Sequence, residues 1–381
     1  MKRMVKIRYA VIRYVCGVAL KLMCVAAVLA LGFNQAMADD SHLAYLPMTF
    51  HAEGQDIRTT ACLQVTEHVY SESNWWEGAT GNASAPERAF KGVMAAIQHS
   101  DRDGLLRLSD PQEAKDPKHF DEQASAFFQQ FRNLEVVGVP LAYDFDGLAV
   151  FFPKLRSQRR IFFAPFIFAS ETDGSFGFLP RRTRQVTYQL VNDWVQATWG
   201  PTGSAHPTYC TDDDIKRATH RVSLVSSSKE AWHPSQLFLR GASFDAPGEL
   251  GDLVASTRSA IEGMKAAFAK GIDEFVKHLT PEGGSYLKQW FISAESKERE
   301  QYWAAIADQK PFFLFDLSSV VVVYTRPPMG QVQVMYFTFG AKHELLWTNA
   351  SHVTVMDTVF KAGPLYDAAS SKERPFSSVA K

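Results

Sequence analysis

Two stretches of the chain combine long apolar runs with short polar turns. Residues 143–168 read YDFDGLAVFFPKLRSQRRIFFAPFIF, and residues 315–339 read FDLSSVVVVYTRPPMGQVQVMYFTF. Runs rich in Val, Phe and Tyr that are separated by polar turns are typical of antiparallel strands. Each stretch therefore predicts a β-hairpin, and the turn of the first hairpin is basic.

Helical patterns precede both predicted hairpins. Pro86 opens the first helix, and its apolar face is made by residues at helical spacing: Phe90, Val93, Met94 and Ile97. Further strands are predicted after the helices, among them 160–169, 184–194 and 352–361. Helices followed by an antiparallel meander, with no βαβ alternation, predict the α+β class.

The second half of the chain repeats the order of the first. Asp144 corresponds to Asp316 and Phe152 to Tyr324 at an offset of 172 residues, and the offset changes only across loops. This predicts two tandem α+β domains, with a period far longer than that of solenoid repeats. The predicted organisation is a signal peptide over 1–38, a strand and loop segment over 39–84, a first domain over 85–200, an inter-domain segment with short strands over 201–246, a second domain over 247–366 and a flexible tail over 367–381.

Each half also carries a helix followed by a short helix that ends at a proline, AAIQHSDRDGLLRLSDP and AAFAKGIDEFVKHLTP. With the meander that follows, this order resembles the NTF2-like superfamily (SnoaL-like or cystatin-like cone) over residues 85–200 and 247–363. The resemblance implies a curved sheet wrapped around helices, with an apolar pocket at the open end of the cone. Such relatives include isomerases, dehydratases, polyketide cyclases and non-catalytic binding or dimerisation modules, so the fold alone does not decide the function.

The N-terminus has the features of a secretory signal. A basic segment precedes an apolar run over residues 22–33, and Ala36-Met37-Ala38 forms an A-x-A cleavage site. We predict cleavage after Ala38 and a periplasmic or secreted mature protein. If the weaker apolar stretch from Tyr9 is included, the segment could instead stay as an uncleaved anchor, although Lys21 interrupts it.

The charge of the chain argues against nucleic-acid binding, and its cysteine content bears on whether a disulfide forms. Residues 1–38 contain six basic and no acidic residues, so their removal changes the formal net charge from −1 to −7. An acidic exported protein is a poor candidate for binding nucleic acid. Of four cysteines, Cys62 and Cys210 remain, and an oxidising compartment favours a disulfide between them. Two buried free thiols are the alternative.

Acidic residues recur at the start of both hairpins. In the superfamily that the chain resembles, an Asp or His on the concave face acts as a base beside an apolar pocket. Asp144 and its counterpart Asp316 are therefore weak catalytic candidates. The interpretation that we favour is that each carboxylate bonds to the backbone of its hairpin turn.

Arginines are concentrated in two loops of the first half. Six guanidinium groups could bind the carboxylates or phosphates of an acidic polysaccharide or an acidic partner. A solvated loop that protects a strand edge is the alternative. The second hairpin has only Arg326 in the equivalent turn. The six candidates are Arg156, Arg159, Arg160, Arg181, Arg182 and Arg184.

Common catalytic and metal motifs are absent from the sequence. It contains no His-x-x-x-His, Cys-x-x-Cys, Gly-x-Ser-x-Gly, Walker loop or Gly-x-Gly-x-x-Gly, so no metal and no cofactor are predicted. Strands that are apolar on both faces, such as the one with Phe151 and Phe152, predict packing between the two copies or in a homodimer.

The leading hypothesis is a non-enzymatic exported protein that binds a protein or an envelope component. One alternative is a cofactor-free isomerase, dehydratase or hydrolase that acts on a small apolar substrate. The other is a protein that binds anionic glycans or an acidic partner through the arginine loops.

Overall fold

A long antiparallel hairpin forms the centre of the molecule. Strand β1 (Asp40–Ala52) pairs with β2 (Gln55–Val69), with one register shift between Pro47 and Thr49. The computed structural model describes residues 40–52, 55–70, 84–111, 115–145, 147–157, 160–171, 173–179, 191, 194–195, 207–224, 235–327, 331–348, 359–361 and 363–371.

Three helices and a meander of strands follow the hairpin. Ser84 caps the first helix: its hydroxyl accepts from the Glu87 amide, and the Glu87 carboxylate accepts from the Ser84 amide. The elements are α1 (Ala85–Gln98), α2 (Arg102–Arg107), α3 (Pro117–Phe131), β3 (Glu135–Phe145), β4 (Leu148–Arg156), β5 (Ile161–Phe163), β6 (Phe166–Ser170) and β7 (Phe176–Phe178).

The second half also has strands, then helices, then a meander of strands. Thr280 caps the helix that begins at Pro281, because its hydroxyl accepts from the Gly283 amide. The elements are α4 (Asp212–Arg217), β8 (His220–Ser223), β9 (Gln236–Ser243), α5 (Gly251–Phe268), α6 (Ile272–Phe275), α7 (Pro281–Ser293), α8 (Ser296–Ala307), β10 (Lys310–Asp316), β11 (Val320–Arg326), β12 (Gln333–Phe339), β13 (Leu345–Trp347) and α9 (Gly363–Ser370).

Strands of both halves form one continuous sheet, in the order β13-β12-β11-β10-β9-β2-β3-β4-β6-β7. Strand β1 lies along one edge of β2, so β3 and β9 share the other edge. There, β9 pairs with the segment from Cys62 to Gln64, and β3 pairs with the segment from Thr66 to Val69. The α+β class is therefore confirmed. The segment over 39–84, predicted as strand and loop ahead of the first domain, contains the β1–β2 hairpin. In the structure, β2 lies in the middle of the sheet.

Aromatic side chains fill the space between the helices and the sheet in each half. Phe90 of α1 stacks on Phe151 of β4, with ring centroids 5.0 Å apart. In the second half, Phe275 of α6 packs against Trp347 of β13, with centroids 6.0 Å apart. Successive strand residues point to opposite faces, so Phe152 lies on the other face of the sheet. A third buried cluster on that face extends through β2 and β9 into both halves.

Three predicted strands differ from the structure. The run 160–169 is divided into β5 and β6 by a segment with Pro165, which has no N–H group for a strand ladder. The runs 184–194 and 352–361 lie mostly outside the described residues, but Val191, Trp194 and Phe360 are helical. A short apolar run fits a buried helix as well as a buried strand, which explains the wrong assignment.

The sequence predicts a signal peptide at the N-terminus of the chain and a flexible tail at its C-terminus. The predicted signal peptide, 1–38, lies outside the described residues. Helix α9 continues to Ser370, beyond the predicted start of the tail at residue 367, and the Arg326 guanidinium donates to the Ala369 carbonyl at 3.1 Å. Within the described ranges, no helix has the length and apolar character that crossing a membrane requires.

Gly241 marks a close approach between β9 and β10. A Cβ atom there would lie 2.6 Å from the Phe315 ring and 2.9 Å from the Leu314 carbonyl oxygen. Gly251, at the start of α5, has helical φ and ψ, and an added Cβ would have no neighbour within 4 Å.

We expect Gly241→Ala to lower the free energy of unfolding by about 1–3 kcal/mol, because an overpacked core forces the backbone apart. The control Gly251→Ala is expected to be neutral or slightly stabilising, because alanine restricts the unfolded chain. Urea unfolding of the two variants measures the difference. Equal midpoints would contradict the register between β9 and β10.

Candidate functional site

The arginine group predicted from sequence is described only in part. Arg156 donates to the Glu135 carboxylate at 3.0 Å, and the Arg160 guanidinium lies 5.7 Å from the centroid of the Phe162 ring. The other four candidates, Arg159, Arg181, Arg182 and Arg184, lie outside the described residues. Arg156 is thus paired with an acid on the exposed surface, and binding of an anionic glycan stays a prediction.

Asp144 and Asp316 occupy matching positions in the two halves. Asp144 lies opposite Thr66 on β2, and Asp316 lies opposite Arg240 on β9. The Asp144 carboxylate is 2.7 Å from Nε2 of His68. Asp316 accepts from the Arg240 guanidinium at 3.4 Å and from the Ser318 amide of the hairpin turn at 2.9 Å.

Glu67 is the most deeply buried acid near these strands, and the sequence analysis missed it. It is 2% exposed and lies opposite Tyr143 on β3. Its Oε1 accepts from the Tyr209 hydroxyl at 2.5 Å, and its Oε2 is 2.6 Å from Nε2 of His42. The alternation Leu63-x-Val65-x-Glu67 was the available signal, because it places the acid on the apolar face of the strand.

Tyr209 reaches Glu67 because its segment is fixed to the central hairpin. Cys62 and Cys210 form the predicted disulfide, with Cα atoms 6.2 Å apart. The Cys210 amide donates to the Tyr45 carbonyl at 2.6 Å. The Arg58 guanidinium donates to the Tyr209 carbonyl at 3.4 Å. The disulfide and these bonds hold the Tyr209 segment, which lies between the two halves in sequence, against the central hairpin.

Hydrogen bonding compensates for the burial of the Glu67 carboxylate. A buried charge is costly unless it is paired and hydrogen-bonded, and charge-assisted bonds are the stronger kind. Burial, followed by the bond to Glu67, raises the pKa of Tyr209 to about 12. Burial, with hydrogen bonds to Tyr209 and Glu67, raises the pKa of Tyr143 far above its usual value. Both phenols therefore stay protonated at neutral pH, and Tyr209 acts as a donor.

The second half has no acid at the equivalent place. Gly241 lies opposite Phe315 on β10, in the position where Glu67 lies opposite Tyr143. The same strand pairing is therefore stable without a buried carboxylate. The cluster of Glu67, Tyr209, Tyr143 and His42 is a particular feature of the first half rather than a requirement of the sheet.

A cleft of about 780 Å³ lies beside Gly241 in the second half. Its floor is the edge of β9, and its walls come from the end of α4 and the turn into α5. Burial lowers the pKa of His220, which lines the cleft and contacts the Phe313 ring with centroids 5.2 Å apart. The charged side chains around it are Lys216, Arg217, Arg240, Asp213 and Glu249.

Comparisons with known proteins give no assignment: no family model, no curated protein and no solved structure matches the chain. Within the part of the chain that the structure describes, no group of three or more His, Cys, Asp or Glu side chains could hold a metal ion.

Removal of the Tyr209 hydroxyl tests the Glu67 cluster. We expect Tyr209→Phe to lower the free energy of unfolding at neutral pH by about 1–3 kcal/mol, because a buried carboxylate oxygen loses its donor. A raised tyrosine pKa contributes stability in full below the unfolded pKa of about 10, and this contribution is lost as pH rises through about 12. The difference between variant and wild type should therefore shrink over that window.

Urea unfolding at a series of pH values measures this effect. Tyr286→Phe is the matched control, because Tyr286 is exposed on α7. A Tyr209→Phe curve that runs parallel to the wild type at every pH would contradict the proposed bond.

Proposed function

We propose that the mature protein is an exported, non-enzymatic binding protein that contacts a protein partner of the cell envelope. We further propose that it consists of two related NTF2-like halves joined through one sheet. The observation that carries the proposal is the packing between helices and sheet, where an enzyme of that superfamily would hold its substrate.

Large aromatic side chains occupy this space in both halves. Phe90 contacts Phe151, Phe166 and Phe168, with ring centroids between 5.0 and 6.2 Å apart. In the second half, Phe275 contacts Trp303 and Trp347 at 5.8 and 6.0 Å. Close-packed protein interiors have little room for a ligand, and aromatic rings contribute strongly to core stability. This supports binding at the surface over catalysis inside a cone.

The strand acids support the same proposal. Glu67, Asp144 and Asp316 each contact a donor from another segment of the chain. A general base must be able to reach the proton that it abstracts. Both oxygens of Glu67 are already engaged, so its geometry fits the attachment of the Tyr209 loop to the hairpin better than proton transfer.

Strand registers support the relationship between the halves. Asp144 pairs with Ala149 across the first hairpin, and Asp316 pairs with Val321 across the second, both at an offset of 172 residues. An isolated parallel bridge also recurs in each half, Ser109 with Phe178 and Leu279 with Trp347. The correspondence thus includes the contact between the short helix and the last strand of the meander.

The correspondence extends to the central strands. Leu63 of β2 pairs with Leu237 of β9, so the two halves meet at equivalent residues. On the outer sides, Leu46 of β1 pairs with Leu63, and Val222 of β8 pairs with Leu237. We therefore propose that each repeated unit begins at β1 or β8, ahead of the helices, rather than at residues 85 and 247.

The end of the central hairpin is the surface that we propose for the partner. Val69 lies on the same face of the sheet as Glu67, and Val69 and Tyr209 are large apolar residues with 39% and 42% of their surface exposed there. Tyrosine is enriched in the centres of protein interfaces. The disulfide of Cys210 keeps Tyr209 in place on this surface.

Affinity capture tests this proposal. The mature chain is used as bait for an envelope extract under native conditions, with Val69→Lys as the interface variant. Ile292→Lys is the matched control, because Ile292 is 84% exposed on helix α7. We expect wild type and Ile292→Lys to retain one stoichiometric partner, and Val69→Lys to lose it. No stable partner for the wild type, or equal recovery with both variants, would contradict the proposal.

A further inference from the structure

The cleft beside Gly241 results from a local difference between the two halves. In the first half, β1 runs alongside the end of β2, where His42 pairs with Glu67 and Leu43 with Thr66. In the second half, β8 begins only at His220, because the preceding residues form α4. Within the described part of the chain, the edge of β9 from Arg240 to Ser243 therefore has no strand beside it on that side, and the space forms the cleft.

Hydrogen bonds of the Thr219 side chain restrict the class of ligand that can bind in the cleft. Its hydroxyl accepts from the Gly241 amide at 2.9 Å and donates to the Gly241 carbonyl at 3.1 Å. The Gly241 backbone groups, which an added peptide strand would need, are thus already bonded. Addition of a strand to this edge is disfavoured, and the cleft remains as a space for a small molecule. Its volume of about 780 Å³ lies in the usual range for such ligands.

Charge in the cleft is positive by a small margin. Three cations and two acids line it, which leaves a formal charge of +1 with neutral histidine. Lys216 lies 3.9 Å from Asp213, and Arg240 lies 3.4 Å from Asp316, so neither pair is tight. Within the described ranges, Arg217 has no acid within 4.0 Å, so it is the cation best able to meet a ligand. One negative charge on the ligand matches this balance, and several would be repelled by Glu249.

Polar and apolar groups share the rest of the lining. Ala246 and Pro247 from the turn into α5 are its more exposed apolar side chains, whereas Phe313 of β10 and Leu250 are each 6% exposed. Burial favours the uncharged form of His220, so its ring adds an aromatic surface rather than a further charge. Pockets for small molecules combine such apolar walls with a few placed polar groups.

We propose that this cleft binds a small monocarboxylic acid with an apolar body. Arg217 meets the carboxylate, with support from Arg240, and the apolar body packs against Ala246 and Pro247. The guanidinium group suits this role because its planar donors match a carboxylate. This site is separate from the surface at Tyr209, and it does not depend on the envelope partner proposed above.

Isothermal titration of the mature protein with phenylacetate and hexanoate tests the site, with phenylacetamide as the uncharged probe and inorganic phosphate as the polar anion. We expect the two carboxylates to bind, and phenylacetamide and phosphate to bind at least about tenfold more weakly. A tenfold difference corresponds to the loss of about one charge-assisted hydrogen bond for phenylacetamide, or of the apolar contact for phosphate.

Two variants locate the binding. Arg217→Gln should weaken phenylacetate binding about tenfold, whereas Ala246→Trp should abolish it by filling the cleft. Arg107→Gln is the matched control, because Arg107 also lies in the last turn of a six-residue helix, in the first half. No heat with either carboxylate, equal binding of acid and amide, or equal effects of Arg217→Gln and Arg107→Gln would overturn the proposal. Capture of the envelope partner should be unchanged in Arg217→Gln.

Discussion

The pairing of β2 with β9 is the interaction on which the rest of the structure depends. It joins only three residue pairs, Cys62 with Phe238, Leu63 with Leu237 and Gln64 with Gln236, yet it makes one sheet from the strands of both halves. Leu63 and Leu237 are buried in a cluster that extends into both halves. Since strands are stabilised through their neighbours on the same face, each half contributes to the core of the other.

The ends of β2 and β9 carry different side chains in the two halves. In the first half, β1 covers the end of β2, and Glu67 holds the Tyr209 loop through a short hydrogen bond. In the second half, α4 replaces the start of the strand, Gly241 replaces the acid, and a cleft with three cations lies at the edge of β9. Similar strand pairings with different side chains at one position are compatible with the two separate sites that we propose.

Local sequence patterns predicted the structural features that interactions between nearby residues determine. The cap at Ser84, the apolar face of α1, the hairpins and the cysteine pair were all accessible from sequence. The β2–β9 junction was not, because it pairs strands that are far apart in the chain and whose local pattern does not specify a partner. Glu67 could be found only by noticing an acid at an inward strand position, and its donor Tyr209 is 142 residues away. The cleft depends on the residue at which β8 begins. A strand of four residues is too short for the sequence pattern to predict where it starts.

Calorimetry of the mature chain tests the shared sheet most directly. Val93 and Ile261 are fully buried under the helices of the first and second half, respectively. Because the halves share a core, the account predicts one cooperative unfolding transition in the wild type, and Val93→Ala and Ile261→Ala should each move that same transition to lower temperature. Two separate transitions, each moved by only one of the two substitutions, would contradict it.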